Sequence, residues 1–157
     1  MFVYDSDLSY FSDKVLTIVN KLLPQGFDVS DTAPNTFKEL KRVYEQTGRV
    51  VVWSGASENT IYRDARVNHA FRAWHDHHHL TGDLPFTVNG EKAVCELQKA
   101  DCEGCILCEK LLDAEINGQI AFYMKYGKSV LKQRDFVLDF IKNKEKTMLN
   151  GENYRFC

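Results

Sequence analysis

The chain has 157 residues, of which 44% are apolar, 27% charged and 12% aromatic, the balance of one globular domain with enough apolar side chain for a real core. Twenty Lys and Arg against twenty-two Asp and Glu leave a net charge of -2, so no global charge draws the chain toward nucleic acid or an acidic membrane. No apolar run approaches the roughly 18 residues of a spanning helix, the N-terminus shows no basic leader, and five cysteines, three of them crowded together, suit a disulfide framework poorly. The expectation is a cytoplasmic protein whose cysteines are reduced thiols or metal ligands, with no membrane partner and with nucleic acid disfavoured.

In chain order, residues 9–23 place Phe11, Val15, Ile18, Val19 and Leu22 on one helical face and stop at Pro24 and Gly26. A polar stretch leads to a second helix at 36–46, with Phe37, Leu40, Val43 and Tyr44 inward and Gly48 as its stop. Residues 49–54, centred on Val50, Val51, Val52 and Trp53, read as a strand or extended connector, and one strand cannot stand alone. The small turn Ser54-Gly55-Ala56-Ser57 offers amides to an anion but lacks the Lys-Ser or Lys-Thr of a phosphate loop. A third helix spans 64–80. Asn89 caps a fourth that runs to Ala100 with Glu91 in its first turn, after which comes a Cys-rich turn. A fifth helix at 110–126 buries Leu112, Ile116, Ile120 and Tyr123, a sixth at 133–148 buries Val137, Phe140 and Ile141, and the tail from 150 frays. Lys125, Lys128, Lys132 and Arg134 are followed at once by Asp135 and Asp139, the pattern of a solvated face. The predicted fold is mainly α: an irregular bundle of about six helices with one or two short strands, in a single domain over 1–157.

The third helix carries the chemistry. At about 100° per residue, Val67, Phe71, Trp74 and His78 share an apolar face, while Asn68, Arg72, His75 and His79 form a polar stripe along its flank. A solvent face usually shows Lys and Glu, whereas Asn, Arg and two His at i and i+4 suit a partly buried, directed site. His75 and His79 stand one turn apart, close enough to ligate one ion, as in the H-E-x-x-H helix; here Asp76 occupies the base position with a shorter reach. His77 and His78 read as core-edge or surface imidazoles. A third ligand must come from another helix, and Glu115 and Glu91 are the candidates. Glu115 and Gln119 sit at i and i+4 beside the apolar Ile116 and Ile120, while Glu91, Cys95 and Gln98 share a flank of the fourth helix. The competing possibility is a metal-free network in which Arg72 pairs with Glu115 or Glu91.

Cys102-x-x-Cys105-x-x-Cys108, with Gly104 easing the bend, has thiolate spacing suited to a separate zinc site or to three corners of an iron-sulfur cluster. Closure would need Cys95, Cys157 or a His. Buried thiols without metal explain the same residues if the helix begins early.

The segment from about 49 to 141 resembles a family of small uncharacterised proteins encoded largely by tailed bacteriophages. The shared pattern is V-x-W-S-G at 51–55, N-x-A-F-R-A-W-H-D-x-x-H at 68–79, G-E-x-A-V at 90–94, and A-E-x-x-G-Q at 114–119 ahead of an aromatic residue. The resemblance implies that Asn68, Arg72, His75, Asp76, His79, Glu91, Glu115 and Gln119 belong to one site, the set the helical wheel also selects. It implies no activity. This chain has His77 where the family has an aromatic residue, and the cysteine run lies outside the shared pattern.

These residues support three function classes. The first is a hydrolase-like enzyme dependent on a divalent zinc, manganese or iron ion, with His75, His79 and Glu115 as ligands, Asp76 or Glu91 as base, and Arg72 stabilising a small anionic substrate, phosphorylated or a nucleotide; Asn68 and Gln119 would bind substrate or support the ligands. The second is a non-enzymatic phage accessory protein that binds a host component and uses the stripe as a structural network. The third is an iron or iron-sulfur redox protein, although the paired Glu-x-x-His motifs of di-iron bundles are missing.

Overall fold

The computed structural model describes residues 1–155, and the fold is mainly α. Helix α1 (Asp5–Leu22) starts earlier than the apolar spacing alone implies, because Asp7 Oδ2 accepts the Tyr4 backbone N–H at 2.8 Å and closes the first turn. Its Phe11, Val15, Ile18 and Val19 face is buried.

The polar stretch after α1 contains the partner that the predicted strand requires. Strand β1 (Asp28–Ser30) pairs in parallel with β2 (Val51–Trp53), with Val29 opposite Val52. Parallel neighbours need a crossover, which is supplied by α2 (Phe37–Thr47) between the Thr36 cap and left-handed Gly48. Three exposed or half-buried residues with no apolar alternation hide β1 in the sequence.

The central helix is α3 (Ala65–Gly82), which packs against α1, β2 and the next helix, α4 (Val88–Asp101). Asp64 caps α3 by accepting the Val67 N–H at 3.0 Å. Thr87, and not Asn89, caps α4, through the Gly90 N–H at 3.0 Å. Gly90 is required here because a Cβ on it would lie 2.0 Å from the Pro85 carbonyl oxygen.

The predicted fifth helix starts at the cysteines. Helix α5 (Ile106–Leu112) continues through a π-helical turn (Asp113–Gly118) into α6 (Gln119–Tyr126), with Cys105 as N-cap. Phe122 is buried there, whereas Tyr123 is exposed, contrary to the uninterrupted helical spacing; a π turn shifts the angular phase of the residues beyond it. The predicted sixth helix is two, α7 (Gln133–Lys142) and α8 (Lys144–Leu149), broken at extended Asn143, whose side chain caps α8. The tail is also fastened: Gly151–Tyr154 forms a 3-10 turn, buried Tyr154 donates its hydroxyl to Asp139 Oδ2 at 2.7 Å, and its carbonyl accepts from Leu131 and Lys132.

One apolar cluster gathers residues from Leu8 to Tyr154 around Phe11, Trp74, Leu112, Phe122 and Phe136. Val50, Val52 and Ala73 form a smaller cluster that seats the strand pair on α3. Among the described residues no helix is long and apolar enough to cross a membrane.

Candidate metal centre

The polar stripe of α3 divides into two halves with different work. Asn68 and Arg72 fasten the turn after β2: Arg72 Nη1 donates to the Trp53 carbonyl, Nη2 donates to the Ala56 carbonyl at 3.2 Å, and the Asn68 amide reaches that carbonyl at 3.5 Å. The guanidinium also lies 5.5 Å from the Trp53 ring centre. Two of its five N–H donors are used in this way. The other half of the stripe, His75 and His79, turns toward α4.

There the two Nε2 atoms converge on one carboxylate oxygen. Glu91 Oε2 stands 2.7 Å from His75 Nε2 and 3.2 Å from His79 Nε2, and the two nitrogens are 3.1 Å apart. In this geometry His75, His79 and Glu91 could hold a metal ion. Ligand atoms around a tetrahedral zinc, with bonds near 2.0–2.1 Å, are separated by about 3.3 Å, so two of the three separations already fit.

The far sides of both rings are held as metal-binding histidines require. His79 Nδ1 faces the Leu84 carbonyl oxygen at 2.6 Å; a carbonyl only accepts, so Nδ1 donates there and Nε2 is the nitrogen turned to His75 and Glu91. His75 Nδ1 donates to Gln98 Oε1 at 2.7 Å, which likewise turns its Nε2 toward Glu91. His79 is fully buried, whereas the side chains of His75 and Glu91 keep 17% and 20% exposure, so the centre is closed on one side and open on the other.

Without an ion, the three acceptors must share a proton. Burial disfavours the charged form of His75, but the hydrogen bond and charge of Glu91, with Asp76 behind them, outweigh it and raise the His75 pKa. Burial likewise works against ionised Glu91, yet its contacts with His75 and His79 hold it down at about 2. Asp76 is pushed up to about 6 by burial, with His75 and His79 pulling back.

Glu115 is not part of this cluster. Its Oε1 accepts from Gln119 Nε2, its neighbours are Tyr62 and Arg72, and burial pushes its carboxyl up to about 7. The carboxylate brought to the histidines is therefore Glu91, from the sequence a candidate third ligand assigned as a base, and not Glu115, assigned there as the third ligand. A wheel gives the face on which a side chain lies; it does not tell which of two facing helices comes closer. Glu115 sits in the π turn, and its Oε2 and the Tyr62 hydroxyl are both buried without a well-formed hydrogen bond. The sequence places Gln98 on the same flank as Glu91 without giving it a role, and Tyr62 carries no signal beyond its apolar setting.

His78, read as a core-edge or surface imidazole, donates from Nε2 to Asp101 Oδ2 at 2.6 Å, and that oxygen also accepts the Trp74 indole N–H at 2.8 Å. The cysteine run does not assemble a metal site among the described residues. Cys105 and Cys108 are joined to each other, Cys102 and Cys95 are buried free thiols, and Cys157 lies outside the described residues. The early helix start explains this, since it directs Cys108 inward at the first turn.

A cavity of about 190 Å³ opens beside the centre, lined by Arg72, His75, Asp76, Trp53, Phe71 and Phe86 among others. A larger one, about 860 Å³, is lined by Ser57, Asn59, Gln133 and Arg134 and contains none of these ionisable groups of α3 and α4. Comparisons of the chain with protein-family models, curated proteins and solved structures find no match.

Proposed function

We propose that the chain is a phage-encoded, metal-dependent enzyme of hydrolase type, with a zinc, manganese or iron ion held by His75, His79 and Glu91 and a small anionic substrate drawn in by Arg72. One observation carries this reading: fully buried His79, with Nδ1 committed to the Leu84 carbonyl, turns Nε2 toward His75 Nε2 and a Glu91 carboxylate oxygen. Three converging acceptors call for a cation.

A divalent ion there would supply a Lewis acid and a bound water of lowered pKa. The chain supplies the remainder. Asp76, beside His75 and with a pKa of about 6, holds a carboxylate at neutral pH that can accept a proton. Arg72 keeps three N–H donors for an anion at the mouth. The adjoining cavity of about 190 Å³ corresponds to roughly six water volumes. It takes a phosphoryl or carboxylate group, with the remainder of the substrate outside, against Trp53 and Phe86.

The test is elemental analysis of tag-free protein followed by a phosphoester and nucleotide screen. The expected outcome is near one metal per chain, lost in His79→Ala and Glu91→Gln, with hydrolysis that depends on it. A second reading has its own support: each ring nitrogen of His75 and His79 already faces a protein atom. If no metal is retained and His79→Ala unfolds the chain, the cluster is a structural network and the protein a phage accessory factor for a host partner.

A further inference from the structure

The cysteine run stands apart from the metal centre, and its last two members are arranged differently from the others. Cys105-Ile106-Leu107-Cys108 brings two sulfurs together with Cα atoms 5.2 Å apart, within the span that a disulfide bridges. The two positions are unequal. Cys105 is half-buried at the N-cap and Cys108 is fully buried, so an incoming reagent meets Cys105 first. Cys105 Sγ also receives the Cys108 backbone N–H at 3.2 Å, so the two residues of the pair are held to each other by backbone as well as by sulfur. Ile106, beside it, is 65% exposed and leaves an apolar approach to the sulfur.

The geometry points to Cys105 and Cys108 as a reversible dithiol that exchanges with small-molecule disulfides, Cys105 attacking and Cys108 resolving. Cys105 thiolate attacks one sulfur of a disulfide RSSR, forming the Cys105–S–S–R bond and expelling RS⁻. Cys108 gives up its proton, attacks the Cys105 sulfur and expels the second RS⁻. The two cysteines lose two electrons and two protons, and the disulfide gains them as two RSH. The other two described thiols do not compete: burial pushes Cys95 up to about 12 and Cys102 up to about 11, so both remain protonated. Acting as an attacking and a resolving sulfur requires an accessible first cysteine and a shielded second, the arrangement found here.

The test uses the whole chain carrying Cys157→Ser, equilibrated in glutathione buffers from reducing to oxidising ratios, then alkylated and mapped by tandem mass spectrometry. The expected result is a gain of two alkyl groups, at Cys105 and Cys108, as the buffer becomes reducing, with the circular dichroism signal unchanged. Cys108→Ser should trap one glutathione on Cys105, whereas Cys105→Ser should leave Cys108 unmodified. The proposal is overturned if the pair stays oxidised or stays reduced over the whole range, if the adduct maps to Cys95 or Cys102, or if the reduced chain loses its helical signal. The wild-type titration decides even where a variant fails to fold, and none of these outcomes depends on a metal.

Discussion

His79 illustrates how a single proton sets what a site can hold. The Leu84 carbonyl accepts the Nδ1 N–H, so Nε2 is the atom left to face a cation. Glu115 poses the opposite problem, a carboxyl whose burial makes ionisation unfavourable. With a folded pKa of about 7 against 4.5 in the ordinary group, the folded state holds more protons than the unfolded chain between those values. Stability therefore falls as pH rises through that window and the loss is complete above it. The shift corresponds to about 3 kcal/mol. Urea unfolding of metal-free Glu115→Gln should show it more stable than wild type at pH 8 by up to that amount, with little difference at pH 4; an equal difference at both pH values would refute the assignment. Glu115→Gln should also retain metal where Glu91→Gln loses it, because only Glu91 reaches the two Nε2 atoms.

At the level of elements, Glu91 is delivered by the way α4 begins. Gly90 lets the first turn press against the Pro85 carbonyl, and the next residue is Glu91. Gly90→Ala must push the turn away, at about 1–3 kcal/mol. It should lower thermal stability and weaken metal binding together, measured by calorimetry and metal titration, and an unchanged affinity would show that Glu91 is placed by other contacts. The π turn plays a comparable part for Glu115 and Gln119, which meet as i and i+4 neighbours just where the helix changes its winding. Helix α3 was legible because its apolar face and polar stripe recur with the helical period. The turns were not, because their signals are single backbone or side-chain contacts: Thr87 as cap in place of Asn89, Asn143 as a break, and the Tyr154 hydroxyl on Asp139.

For the molecule as a whole, a metal held by His75, His79 and Glu91 would link metal binding to folding, since α3 and α4 would both contribute ligands. An ion that binds only the folded state at a thousand times its dissociation constant stabilises it by about 4 kcal/mol, roughly 10 °C in Tm for a chain of this size. Added zinc or manganese should raise Tm by that order in a scan at pH 8. The gain should shrink as pH falls through the raised His75 pKa, because His75 Nε2 must shed the proton it shares with Glu91 before it can ligate. A metal-induced shift independent of pH would place the ion elsewhere.

The amino-acid sequence by itself determined the helical class, the span of α3, the division of its apolar and polar faces, and the pairing of His75 with His79, because each depends on a repeat within one segment. It also placed Glu91 and Glu115 on flanks where either could serve. Only the tertiary structure decided between them, paired β1 with β2 across α2, and turned Cys105 toward Cys108 and away from a shared site with Cys102. These depend on how closely separate segments approach: a helical period gives the direction of a side chain from its own axis, while the distance to a neighbouring axis comes from packing of the whole core.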